Sequence, residues 1–132
     1  MKKIGVLHIE LSAVIASMAH EEYLVIGDAG LPVPDGVKCI DLALKDGVPG
    51  FLETLEAVMS ELKVQEAIID TEMAEISPHI REGLNKLVAG AFPIKAVPHR
   101  QLKELTTRAK AVVRTGEFTP YSNIVLVAGV LF

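Results

Sequence analysis

Hydrophobic and polar positions along this chain switch repeatedly between two periods. Leu11, Val14, Ile15 and Met18 fall on one face at helical spacing and predict a helix over about Ser12 to Ala19. Tyr23-Leu24-Val25-Ile26-Gly27 is a short apolar run with the length and content of a strand. The loop Asp28-Ala29-Gly30-Leu31-Pro32-Val33-Pro34-Asp35-Gly36 follows, its prolines and glycines forbidding regular structure. Cys39 to Leu42 reads as a minor strand. Pro49 suits the first turn of a helix on which Phe51, Leu55, Val58 and Leu62 recur at helical spacing. Ala67-Ile68-Ile69 reads as a buried strand. Ser77-Pro78 is an N-cap and first-turn pair for a helix carrying Ile80, Leu84, Leu87 and Val88 and closed by Gly90. Ile94 to Val97 is a strand, His99 to Arg108 a helix with Leu102 and Leu105 inward, and Ala111-Val112-Val113 and Ile124 to Val130 complete the strands. Strands alternating with helices predict an α/β class of three layers: a mixed, largely parallel sheet with helices on both faces.

With 132 residues, no internal repeat and no linker, the pattern predicts one domain, residues 1–132. Met1-Lys2-Lys3 and the apolar stretch after it have the outline of a secretory signal. His8 and Glu10 interrupt its apolar core, however, and the amphipathic spacing assigns the segment to the fold instead.

The composition, 50% hydrophobic with a mean hydropathy of +0.38, is rich for a small soluble protein. Two explanations compete and are compatible: a sheet buried on both faces, or extra apolar surface buried between subunits. The run from Ile124 to Phe132 is apolar to its last residue, so it must dock somewhere, yet it is too short to span a bilayer as a helix. A net charge of -4, no Lys/Arg run, 5% aromatics and no Trp argue against a nucleic-acid surface. Cys39 is the one cysteine, which fits a reducing cytoplasm and rules out an intrachain disulfide. Scattered histidines and a lone thiol argue against a metal site. Nucleotide fingerprints, a P-loop and a Gly-x-Ser-x-Gly elbow are all missing. His8-Ile9-Glu10 matches half of a zinc-deaminase signature, but no paired cysteines follow.

Proton transfer is the chemistry left. His20 stands between a helix and a strand, and Asp28 ends that strand. If a layered fold brings the helix end over the strand end, the carboxylate sets the tautomer of the imidazole. The alternative is a helix-end histidine favoured by the dipole and an aspartate that forms a turn before Gly30. His99 and Lys103 share a helical face, as a donor pair for a polyol or as solvated side chains. His79 is given no role. Tyr121 and Asn123, near Pro120 in the most polar stretch between two apolar strands, provide a phenol and an amide: groups of the kind that read sugar hydroxyls, or parts of a hairpin connection.

Three segments together resemble the D-ribose pyranase family, which includes fucose mutarotases. They are the His20 segment, Asp28-Ala29-Gly30-Leu31-Pro32-Val33-Pro34, and Val113-Arg114-Thr115-Gly116-Glu117 with Thr119-Pro120-Tyr121-Ser122-Asn123 and the closing Ala128-Gly129-Val130-Leu131-Phe132. The Gly30-Leu31-Pro32 segment is more similar to the ribose branch than to the fucose branch. The resemblance implies an α/β domain assembled as two stacked pentamers, a homodecamer. It also implies cofactor-free interconversion of the pyranose and furanose forms of ribose. It makes His20 the acid/base residue and places Asp28, His99, Tyr121, Ser122 and Asn123 on the sugar. Two positions depart from the family pattern. Ala19-His20-Glu21-Glu22 stands where the family usually has Gly-His-Thr-Asp, and His8 where it often has Asn. The runners-up are a fucose-type mutarotase of the same fold and a non-catalytic sugar-binding accessory protein of sugar transport.

Overall fold

The computed structural model describes residues 1–132. Its six strands are β1 (Tyr23–Gly27), β2 (Lys38–Asp41), β3 (Val64–Asp70), β4 (Ile94–Val97), β5 (Ala109–Arg114) and β6 (Ile124–Ala128). They form one sheet in the order β2-β5-β1-β6-β3-β4. Pairs β2/β5, β1/β5 and β3/β4 are parallel, whereas β6 runs antiparallel to both of its neighbours. The sheet is therefore mixed and largely parallel, with one reversed strand at its centre.

Alternation along the strands sorts the core into two layers. Leu24, Ile26, Ala111, Val113, Ile124 and Leu126 face helices α1 (Ile9–Ser17), α2 (Phe51–Met59) and α4 (Pro78–Val88), in a cluster that includes the fully buried Phe51, Leu55 and Leu84. Met73 of the short helix α3 (Glu72–Ile76) joins the same cluster. Val25, Ile68, Val112 and Val125 point the other way, against Leu102 of α5 (His99–Thr106) and Leu31 of the proline loop. Helices thus cover both faces unequally, and a strand buried on both sides explains why β6 is apolar throughout.

Several boundaries move, each for a local reason. Helix α1 begins ahead of Ser12 because His8 caps it, Nδ1 accepting the Leu11 N–H at 3.2 Å. An Asn at this position would serve the same end, as a short side-chain acceptor at an N-cap. Met18 is already extended, so α1 ends before Ala19. Pro49 lies ahead of the N-cap Gly50 rather than in the first turn of α2, and its carbonyl accepts the Gly116 N–H at 2.9 Å. Pro78 does open α4, but the Ser77 hydroxyl makes no capping bond and donates instead to the Pro120 carbonyl. At the other end Ala89 takes the left-handed conformation (φ 47°), one residue before Gly90 (φ 78°). Strand β6 stops at Ala128; Gly129 donates to the Lys63 carbonyl, and Leu131 and Phe132 are fully exposed. Most of the apolar run thus docks on its own chain as β6, and only its last residues, Leu131 and Phe132, do not.

Candidate functional site

The topology places the ends of parallel strands β1, β3, β4 and β5 along one edge of the sheet. Strand β6 begins at that edge because it is antiparallel: Ile124 pairs with Ile26 on one side and Ile69 on the other. Asn123, one residue earlier, therefore lies between Asp28 beyond β1 and Asp70 at the end of β3. Such carboxyl edges are where α/β sheets gather ligands.

Four side chains are wired together there. Asn123 Oδ1 accepts the Asp28 N–H at 3.0 Å, which fixes the orientation of its amide. Asn123 Nδ2 then donates to Asp70 Oδ2 at 2.8 Å, and Asp70 Oδ1 is hydrogen-bonded to His99 Nδ1 at 2.8 Å. Asp70 and Asn123 are completely buried, and leaving either unpaired would cost about 1–3 kcal/mol, more for the charged group. His99 begins α5, and Glu72 Oε2 accepts its backbone N–H at 3.0 Å, a carboxylate at a helix N-terminus. The Tyr121 ring meets the His99 imidazole edge-on, with centroids 5.1 Å apart. Tyr121 has φ 60°, which turns the Thr119-Pro120-Tyr121 loop back over the strand ends.

Above this network opens a cleft of about 580 Å³ lined by Asp28, Gly30, His99, Arg114, Glu117 and Tyr121 among others. Burial pushes the Asp28 carboxyl up from its ordinary range, against the amides of Gly30 and Leu31 and the nearby His99. Asp70 is also raised by burial, with the bonds from Asn123 and His99 opposing the shift. Arg114 is held along the rim, its Nε donating to the Ala29 carbonyl at 3.0 Å and Nη1 to both Asp41 oxygens at 3.1 Å. Glu117 ties the loop to α2: its carboxylate accepts the Phe51 N–H at 3.1 Å and the Thr119 hydroxyl at 2.9 Å.

Asp28, His99 and Tyr121, three of the residues read from the sequence, thus come together. Ser122 and Asn123 lie just beneath, both buried: the Ser122 hydroxyl donates to the Thr119 carbonyl at 2.9 Å, and the Asn123 amide is committed at both ends. The Asn123 side chain supports Asp28 and, through Asp70, His99, two residues that line the cleft. Lys103 does not line it.

His20 is elsewhere. It sits exposed in the turn between α1 and β1, at the opposite edge of the sheet, its Nε2 at 3.0 Å from Gln65 Oε1. The five residues of β1, at about 3.3 Å each, put roughly 17 Å between the two edges. The pairing of His20 with Asp28 through the helix end does not form within one chain, because α1 ends over the start of β1. Glu22 secures the His20 turn by accepting from the Ala19 N–H and Lys110 Nζ, each at 2.8 Å. The Lys110 bond is the main reason its carboxyl is held below the usual range.

Asp70, Arg114 and Glu117 had not been singled out as site residues. For Asp70 a signal existed: Ile68-Ile69-Asp70 ends an apolar strand in a carboxylate, as Val25-Ile26-Gly27-Asp28 does. Nothing in the sequence shows, however, that β6 inserts between those two strands.

The chain is 51% identical, over all of both sequences, to a D-ribose pyranase of Symbiobacterium thermophilum. It superposes on the structure of Bacillus subtilis RbsD complexed with D-ribose with a TM-score of 0.96, at 45% identity and with all of both chains covered. The structure of the Streptococcus pneumoniae fucose mutarotase in complex with L-fucose shares the fold at a TM-score of 0.80 and 23% identity, with 96% of this chain and 95% of that one covered. The model of the RbsD / FucU transport protein family matches residues 1–131, and the chain belongs to that family.

Proposed function

We infer that this chain is a D-ribose pyranase, an isomerase that interconverts the pyranose and furanose forms of ribose. The observation that carries the reading is the convergence of Asp28, His99 and Tyr121 on one cleft in a chain so similar, end to end, to D-ribose pyranases. Ring interconversion opens a hemiacetal: one group takes the anomeric hydroxyl proton while another protonates the departing ring oxygen. The open aldehyde rotates and a different hydroxyl recaptures it. No electron or group is transferred, so the reaction calls for no cofactor.

Asp28, His99 and Tyr121 hold the sugar, with Ser122 and Asn123 acting from beneath through the groups they position. His20 is the acid/base residue and reaches the cleft from a second copy of the chain. Three features support the shared site. His20 is exposed at the edge away from its own cleft, Leu131 and Phe132 extend uncovered, and Ile4, Leu7 and Ile9 add apolar surface that a monomer would leave wet. A homodecamer of two stacked pentamers is the assembly implied by the family resemblance. A ring built from one repeated contact brings each His20 to its neighbour's cleft. The free thiol of Cys39 fits the cytoplasm, and no helix is long and apolar enough to cross a membrane.

The test is saturation-transfer NMR on ribose anomers with purified protein. Accelerated pyranose–furanose exchange is expected. Ribose binding without acceleration would leave only a sugar-binding protein, and a preference for fucose would move the chain to the other branch.

A further inference from the structure

The cleft holds an imidazole whose tautomer is dictated from below, and this has a catalytic consequence. The Asp28 backbone N–H can only donate, so the Asn123 amide must present its oxygen to it and its nitrogen to Asp70. With Asp70 ionised, both of its oxygens are acceptors, and the one facing His99 requires a proton on Nδ1. Neutral His99 therefore carries its lone pair on Nε2, the ring nitrogen with no partner in the chain, on a side chain that lines the cleft. A buried carboxylate on one imidazole nitrogen sets the tautomer and orients the other nitrogen, the arrangement a histidine needs for proton transfer. Tyr121 packs in a T-shaped contact with the ring, and the His99 backbone is anchored on Glu72.

We propose that His99 is a second proton-transferring residue, working across the sugar from His20, and that Asp70 is the positioning residue that holds its Nδ1–H and leaves Nε2 to the substrate. The proposal rests on the pyranase reading of the cleft. Ring opening needs a base and an acid at once, on the anomeric hydroxyl and on the ring oxygen. A single imidazole must serve both atoms in turn, whereas two imidazoles on opposite sides serve them together. In the opening direction Nε2 of one histidine accepts the hydroxyl proton as the C–O ring bond breaks. The other, protonated, gives its proton to the ring oxygen, and recapture by another hydroxyl reverses the transfers, so protons balance over the cycle. The charged and titratable groups around His99 are Asp70 below it, Glu72 at its backbone, Tyr121 at its edge and Asp28 across the cleft.

Three variants with one spectroscopic readout decide the matter. Wild-type protein must first accelerate ribose exchange; if it does not, the pyranase reading fails and the present proposal goes with it. Given that activity, His99→Gln, which keeps a polar amide in the cleft, is expected to lose about 10²-fold in exchange rate at saturating ribose, the scale of one positioned proton transfer, with ribose KM changed by less than about threefold. Asp70→Asn places a donor where Asn123 Nδ2 or the His99 N–H already points. It is expected to lower kcat at least about tenfold, to shift the pH profile of kcat and to flip the His99 tautomer. Long-range ¹H–¹⁵N NMR reads that tautomer directly: Nδ1–H in wild type, Nε2–H in Asp70→Asn. If Asp70→Asn does not fold, the wild-type tautomer and His99→Gln decide alone. An Nε2–H imidazole in the wild type, or a His99→Gln variant with raised KM and unchanged kcat, would reduce His99 to a sugar ligand and overturn the proposal. Asp70→Ser, which removes the acceptor facing His99, should reproduce the kcat loss; wild-type kcat and pH profile in this folded variant would overturn the role of Asp70.

Discussion

The two edges of the same sheet are built on opposite plans. At the carboxyl edge, Asp28, Asp70, Asn123 and His99 form one hydrogen-bonded chain, half of it buried to zero exposure, with the cleft above. At the amino edge, His20 is exposed and rests on one bond to exposed Gln65, and its turn is tied by Glu22 and Lys110 at the surface. The first edge is rigid because breaking any link strands a buried polar group. The second loses little when a link breaks, since water replaces the partner. In the proposed shared site, each copy would carry its cleft as part of its own stability and its His20 as a surface feature that a neighbour can use.

Removing His20 should break the arrangement most severely in activity. His20→Ala is expected to lower the ribose exchange rate by about 10²- to 10⁴-fold, while NMR titration still detects ribose in the intact cleft. Removing the keystone of the opposite edge acts on folding instead. Asn123→Ala leaves the Asp28 N–H and one Asp70 oxygen without partners in a dry site, and urea unfolding should show a loss of about 3 kcal/mol.

Glu117 gives a smaller, pH-dependent effect. Burial pushes its carboxyl up, but the Phe51 N–H and the Thr119 hydroxyl and amide together hold it below the ordinary value. A carboxyl depressed in the folded state binds protons less well than in the unfolded chain. Its contribution is thus present above the unfolded value and lost as pH falls through the folded one. Thermal melts of wild type and Glu117→Gln should differ at neutral pH and converge in acid; a constant gap would assign the effect to packing. Gln65→Ala should do least, changing stability by under about 0.5 kcal/mol in the same unfolding assay.

Much of the fold was legible because period and length agree. β1 and β4 lie where their apolar runs place them, and the mixed, largely parallel sheet follows from the alternation of elements. Boundaries moved where side chains act at a distance: His8 capping α1, Gly116 on Pro49, Ser77 on Pro120. Helix α3 went unseen because it is a single short turn with one buried residue, Met73, and has no period to read. In the site, Asp28, His99 and Tyr121 carried their own signals as polar groups at strand ends and in a loop. Asp70 carried the same strand-end signal, but its meaning depends on β6 running backwards between β1 and β3 and carrying Asn123 to a point between two carboxylates. The place of His20 was legible as a turn, but its distance from Asp28 was not, since adjacency in sequence conceals which end of a strand a residue occupies.

The central claim, that the binding edge of one copy is completed by the His20 edge of another, is tested most directly by hybrid assemblies. His20→Ala and His99→Gln chains, each inactive alone, would be co-expressed in equal amounts, purified together and assayed for ribose exchange. If each site draws its two edges from different chains, about a quarter of the sites pair an intact cleft with an intact His20, and about a quarter of wild-type activity should return. Hybrids as inactive as either parent would contradict the shared site.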